Sequence, residues 1–284
     1  MSMVSSRPGR LLVILAHPDD ESFGTAGVVS RATAAGAQVT LVSATRGEAG
    51  EIANPALATP ATLGTVREGE LRAAARAMGV DDVRFLGYRD SGMAGSPDNA
   101  HPHALIQAPE DEVVERIVRI IRDIRPDTVV TFDPAGVYGH PDHVAMNKYV
   151  TRAFDLAGNA EVFPEAGPPY QPERLYYIAE PRSRIREMVN DLRAANLDLG
   201  PFRDVDVDRM GVPDEQVTAS IDVRPWLAQK IQALASHRTQ IGPNDWFTRL
   251  PESIRNHFLG RENFVQARGA ITTQSRRDLL PDPA

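Results

Sequence analysis

The sequence predicts an α/β fold, a Rossmann-like three-layer sandwich with a mostly parallel sheet and a smaller C-terminal α+β extension. Three observations carry that expectation. Short, wholly apolar runs, LLVILA at 11–16 and TVVTF at 128–132, have the composition of strands buried on both faces. Helical periods separate such runs, each stopped by a glycine or a proline. Two chemically unusual loops, 16–21 and 133–143, follow strands at the carboxyl edge of the sheet, where ligands of such sheets bind.

The elements follow in order. After the strand Leu11–Ala16, the stretch Asp20–Ala35, ended by Gly36, reads as a helix with Val28, Ala32 and Ala35 on one face. Gln38–Ser43 is a second strand, Val66–Met78 a helix stopped by Gly79, and Val83–Leu86 a third strand. Val113–Ile124 is a helix that must finish before Pro126, ahead of the strand Thr128–Phe132. This alternation calls for a parallel sheet with right-handed crossovers over residues 10–157. Segments 44–62 and 87–110 are rich in Gly, Pro and Ala and longer than ordinary connections, which makes them candidate walls or lids of a site. The pattern degrades at PEAGPPYQPER. Beyond it a strand is expected at Leu175–Ala179, a helix around Arg184–Ala195, a strand at Val217–Ile221 and a helix from Arg224 to about His237. One domain over 10–270 results, with a core at 10–157 and an extension at 158–270. It lies between an N-terminal tail, 1–9, and a tail, 271–284, whose QSRRDLLPDPA should fray.

Composition sets the outer limits. Of 284 residues, 42% are hydrophobic and 24% charged, the balance of a soluble globular chain. A formal charge of -7 disfavours a nucleic-acid partner and leaves no polybasic membrane patch. No stretch approaches the roughly 18 uninterrupted apolar residues of a membrane span. No signal peptide is expected at the N-terminus, because charge at Asp19 cuts off LLVILA. A cytoplasmic protein without membrane insertion is expected, with a small molecule as its partner and a homo-oligomer left open. There is no cysteine, so any metal must be held by nitrogen and oxygen.

AHPDDE, 16–21, occupies the first strand-to-helix turn, where a dinucleotide fold would place G-x-G-x-x-G. Carboxylates there would repel a phosphate and favour a bound cation. The second unusual loop, GVYGHPDH at 136–143, repeats the H-P-D element at an equivalent place. His17, Asp20 and His143 can surround one ion and leave positions open, the mark of a catalytic rather than a structural zinc site. Glu21 is assigned to capping or to orienting a ligand. Beside such an ion Asp19 is available as a base and His140 as a group to face developing negative charge.

AHPDDE and GHPDH, with VREGELRAAARAMGV, FLGYRDSGM and DPAGVYGHPDH, resemble the LmbE-like or PIG-L-like zinc-dependent N-deacetylases. Over roughly the first 160 residues the chain looks most like the mycothiol-pathway branch, which includes N-acetylglucosaminyl-inositol deacetylases and a relative that hydrolyses mycothiol S-conjugates. The resemblance implies zinc held by His17, Asp20 and His143, with iron(II) or another divalent ion as the alternative, and Asp19 as general base. It implies that His140 stabilises or protonates the tetrahedral intermediate, that Asp142 orients the His140 ring, and that Tyr138 polarises the substrate carbonyl. It further implies that Arg67, Asp90 and Glu48 meet sugar or inositol hydroxyls of an N-acetylglucosamine-type substrate.

Other readings stay open. An S-conjugate amidase would use the same machinery. Two histidines and one carboxylate also describe an iron(II) oxygenase, though that setting is an all-β barrel with H-x-D spacing, against H-x-x-D here. A carbohydrate-binding protein that keeps its metal for structure would gain nothing from Asp19 and His140. His237, in ALASHRTQIGPNDWF, reads either as a motif element or as a charge at a helix end.

Overall fold

In the computed structural model, which describes residues 8–203, 206, 209–242, 245 and 247–281, the first apolar run forms β1 (Arg10–Leu15). Leu11 to Leu15 are all buried, because helices cover both faces of the sheet and side chains pointing either way meet apolar partners. β2 (Gln38–Ser43) pairs with β1 in parallel, Leu11 opposite Val39. β4 (Thr128–Phe132) lies on the other edge of β1, Leu11 opposite Thr128. β3 (Asp82–Phe85) adds to β2 and β5 (Arg174–Ile178) to β4, again in parallel. β6 (Ala219–Asp222) and β7 (Arg261–Arg268) are antiparallel and give the order 3-2-1-4-5-7-6, so the C-terminal extension continues the main sheet.

Two groups of helices cover it. α4 (Glu110–Ile124) packs with α6 (Pro141–Leu156), which follows the single turn α5 (Gly136–Gly139), and α8 (Leu227–Ser236) packs with α2 (Ala26–Ala34) and α3 (Leu63–Ala77). α4 illustrates the local cause. Val113, Val114, Ile117, Val118 and Ile121 recur at helical spacing and are buried, three acidic residues sit in the first turn, and Arg125 turns left-handed, φ 55°, just before Pro126. Arg122 on the same helix donates to the carbonyls of Ala157, Asn159, Val162, Phe163 and Gly167, which pins the irregular connection that follows α6. A second apolar cluster joins Ile185, Met188, Val189 and Leu192 of α7 (Arg182–Ala194) to Leu234, Leu250 and Leu259, the last on α9 (Glu252–Leu259). Among the described residues, no helix is long and apolar enough to cross a membrane.

Three expectations need correction. The helix expected over Asp20–Ala35 is two helices, α1 (Asp20–Gly24) and α2. Thr25 breaks it with φ −141°, and the carboxylate of Glu262 on β7 accepts the Gly27 and Val28 amides, both at 2.8 Å, which starts a new helix there. β7 and α9 themselves escape the pattern reading, since RENFVQAR buries Glu262, Asn263 and Gln266 beside its apolar residues. The C-terminal tail, finally, is seated as far as it is described. Leu279 is buried and its carbonyl accepts from Thr128, the Ser275 carbonyl accepts from the Tyr176 hydroxyl, and Asp278 pairs with Arg31.

Glu262 also pairs with buried Lys230 at 2.5 Å, and Lys230 donates to the Phe23 carbonyl, so α8 is locked beneath α1 and α2. Lys230→Ala leaves that carboxylate buried without its ion partner and is expected to cost about 3 kcal/mol of stability. The loss would appear as a lower urea midpoint at unchanged slope. A loss under about 1 kcal/mol would mean that the two α2 amides suffice to hold the charge.

Candidate metal centre

Because β1 to β4 are parallel neighbours, the segments that leave them meet at one edge of the sheet. They bring His17–Glu21 from β1, Arg46–Glu48 from β2, Asp90 and Ser91 from β3, and Asp133–His143 from β4. Asp19 has a left-handed backbone, φ 110° and ψ −30°, sparsely populated for a residue with a side chain. This turn sends the neighbouring carboxylates of Asp19 and Asp20 to different partners. In the β4 loop the Asp133 carboxylate accepts the Val137 amide at 2.6 Å and fixes Val137 at φ 62°, one residue before Tyr138. His140 caps α6, its Nδ1 accepting the Asp142 amide at 3.1 Å, with Pro141 in the first helical position.

Three side chains form a triangle, Asp20 meeting each histidine through a different oxygen. His143 Nε2 lies 3.2 Å from Asp20 Oδ1 and 3.3 Å from His17 Nδ1, and His17 Nδ1 lies 3.6 Å from Asp20 Oδ2. Tetrahedral coordination at ordinary Zn–N and Zn–O lengths separates ligand atoms by about 3.3 Å. The donor set therefore fits a small divalent cation. Ligand atoms of His17 with His140 and His143, and of His17 with Asp90 and Asp142, also lie within 4.8 Å of one another. Those groupings are poorer cages, because His140 Nδ1 already accepts an amide and the two carboxylates face the other nitrogen of His17. His17 Nε2 is 3.0 Å from Asp142 Oδ2 and 3.3 Å from Asp90 Oδ1, which keeps the proton on Nε2 and frees Nδ1 as a donor. His143 is oriented instead by stacking, its ring 3.9 Å from that of Phe132 at 8°.

The electrostatics point the same way. Burial opposes charge on His17, but its bonds to Asp142, Asp20 and Asp90 outweigh that and hold its pKa well above the ordinary value. Burial would raise Asp20, yet His143 and His17 hold it well below the usual carboxylate range. The cluster thus attracts positive charge to the place a cation would take. Asp19 differs. Burial pushes it up to about 6, against the pull of Arg67 and helped by the adjacent Asp20. His140 is lowered to about 4 by burial and then by the His17 and His143 imidazoles, so it stays neutral with Nε2 as its donor.

Ten residues were expected at this site, and the fold brings all ten to the same edge. Their contacts refine the expectation in places. The Asp142 carboxylate does not orient the His140 ring; it bonds His17 Nε2 and accepts the Ser91 amide at 3.0 Å, and only its backbone amide touches His140. Arg67 is buried and donates to the Gly47 and Pro18 carbonyls, and to Asp19 Oδ2 at 3.3 Å. Asp90 accepts the Gly92 and Ala49 amides, while Glu48 accepts those of Arg46 and Asp90. Tyr138 is exposed, its ring 5.0 Å from that of His143. Sequence reasoning missed Asp133 and left His237 undecided. Asp133 directly after a buried strand was the available signal for the first. No local signal exists for the second, whose partner, Glu21, is 216 positions away.

Residues 12–154 match the family described as PIG-L, GlcNAc-PI de-N-acetylase. The chain belongs to this family and is a hydrolytic N-deacetylase. It is 42% identical, over 269 residues, to the 1D-myo-inositol 2-acetamido-2-deoxy-alpha-D-glucopyranoside deacetylase of Thermobispora bispora, covering 92% of this chain and 88% of that one. The protein of the same description from Geodermatophilus obscurus is 41% identical, covering 92% of each. Among solved structures, the N,N'-diacetylchitobiose deacetylase from Pyrococcus horikoshii superposes with a TM-score of 0.66 at 20% identity, covering 93% of this chain and 87% of that one. The 4-carboxy-2-hydroxymuconate hydratase from Pseudomonas putida KT2440 superposes with a TM-score of 0.61 at 18% identity, covering 94% and 99%. The fold is therefore shared by proteins described by different chemistries.

His143→Ala opens the triangle and should leave the protein short of zinc by elemental analysis after dialysis against a weak chelator; full occupancy would contradict the cage. A pH dependence follows from His17. Its raised pKa means that the metal-free site holds a proton on Nδ1 that a cation must displace. Zinc affinity should fall about tenfold for each unit of pH below that raised value, and zinc binding in weak buffer should release a proton. Affinity independent of pH over that range would remove His17 from the cage.

Proposed function

We propose that this chain removes the acetyl group from an N-acetylglucosamine-type sugar, with 1D-myo-inositol 2-acetamido-2-deoxy-α-D-glucopyranoside as the substrate, and that zinc is its metal. One observation carries the reading of the chemistry. Two histidines and one carboxylate converge at spacings close to tetrahedral, while a second acid, Asp19, stands next to Asp20 in sequence with its carboxylate turned toward Arg67. The two relatives above 40% identity, matched over nearly their whole length, support the choice of substrate.

His17, Asp20 and His143 would hold the zinc, which would supply an acidified water and a Lewis acid for the acyl oxygen. Asp19 takes the proton that the attacking water gives up. Its pKa of about 6 leaves it ionised near neutrality and basic enough to accept, and the positive charge of an ion would keep it so. The same carboxyl, once protonated, can return that proton to the leaving amine. Neutral His140 directs its Nε2–H toward the oxyanion, since Nδ1 is occupied by the Asp142 amide. Tyr138, on the glycine-flanked turn 136–139, is free to swing over the same oxygen. Glu48, Arg67 and Asp90 form the wall beside His17 and Asp19, where sugar hydroxyls are met, and Arg67 aims Asp19 as well.

The reading is tested by release of primary amine from zinc-loaded protein given the inositol-linked substrate, free N-acetylglucosamine and a mycothiol-type S-conjugate. Expected is a kcat/KM for the inositol-linked sugar at least about 10²-fold above that for the free sugar, the scale on which hydroxyl contacts discriminate. Equal values would remove the inositol from the recognised structure, and faster cleavage of the S-conjugate would replace the substrate.

A further inference from the structure

His237 follows α8 in the C-terminal extension and is completely buried. Its Nε2 lies 2.7 Å from Glu21 Oε1. The other oxygen of Glu21 accepts the amide of Asp19 at 3.0 Å. That amide belongs to the residue with φ 110°, a backbone that persists only where its surroundings over-determine it. Two residues on, Thr239 bonds Glu70 of α3 through its amide and its hydroxyl, at 2.9 and 2.5 Å, and its carbonyl accepts the Ala53 amide of the β2 loop. Glu70 is three positions from Arg67 on the same helix, and Arg67 holds the Pro18 carbonyl and the Asp19 carboxylate. One short segment, His237–Thr239, thus grips Asp19 from two sides, by its amide through Glu21 and by its carboxylate through α3.

Docking of the extension does not require the histidine. Lys230 already binds Glu262 and the Phe23 carbonyl, and Thr239 binds Glu70. What the His237–Glu21 pair adds, beside the adjacent Ser22 hydroxyl that donates to the same Glu21 oxygen at 2.5 Å, is an anchor from the extension for the carboxylate that accepts the Asp19 amide. We propose that His237 is a positioning residue of the deacetylation, acting through Glu21 to hold the left-handed turn that aims the Asp19 carboxylate. The inference rests on the assignment of Asp19 as the base.

Its test is a double-mutant cycle on the zinc-loaded full chain, with kcat, KM and zinc content read for each variant. His237→Leu should lower kcat by about 10-fold or more, the effect of a base displaced by a fraction of an ångström, with KM and zinc content unchanged. His237→Gln, whose amide nitrogen reaches the place of Nε2, should restore most of it. In an Asp19→Asn background His237→Leu should cause no further loss, since the group it positions is gone. Should the leucine variant not fold, His237→Asn, polar but too short to reach Glu21, replaces it and should behave as the loss. An impaired Asp19→Asn together with an unchanged kcat for His237→Leu, or equal losses in both backgrounds, overturns the inference alone. Wild-type turnover by Asp19→Asn overturns the base assignment on which it rests.

Discussion

Two carboxylates adjacent in the chain, Asp19 and Asp20, face different partners, and the left-handed turn at Asp19 is the constraint that separates them. An extended or helical backbone there would give the pair a different divergence and disturb both sets of contacts. With the turn in place, Asp20 completes a triangle with His17 and His143, while Asp19 faces Arg67. A non-glycine residue pays strain at such a φ, typically ~1–3 kcal/mol. The surroundings offset it with hydrogen bonds at both ends of the residue, the amide donating to Glu21 and Arg67 donating to the carboxylate and the preceding carbonyl.

The sheet makes this convergence possible. Four parallel neighbours end at one edge, so that residues as distant in sequence as His17 and His143 come within 3.3 Å. The cluster they form is rich in buried carboxylates, and burying such charge is costly unless it is paired. His17 bears the consequence most visibly, flanked by Asp20 on one nitrogen and by Asp142 and Asp90 on the other. The fold does not dictate the chemistry, as the superposable hydratase illustrates. The particular side chains at the strand ends do.

Much of this was legible in the sequence, and the physical reason is locality. β1 and β4 are apolar runs because they are buried on both faces, and the two H-P-D elements sit immediately beyond them. The first loop carries His17 and Asp20 within four residues and the second carries His140 and His143 within four, so spacing alone was informative. The parts that escaped depend on distant partners. The break at Thr25 needs Glu262, which belongs to a strand whose inward polar residues mask its period. The seating of Leu279 needs Thr128, and the use of His237 needs Glu21. The resemblance implied that Asp142 orients His140, whereas its carboxylate bonds His17 Nε2 and only its backbone amide meets His140, a choice of partner that depends on a residue 125 positions away.

The division between Asp19 and Asp20 is tested most directly by the asparagine variant of each, with zinc content and kcat measured on the same preparations. Asp19→Asn should keep about one zinc per chain while kcat falls by at least about 10²-fold, the scale of general-base catalysis, and Asp20→Asn should lose zinc. Loss of zinc from Asp19→Asn with retention in Asp20→Asn would exchange the two roles, and near-normal turnover by Asp19→Asn would show that the turn separates no base from no ligand.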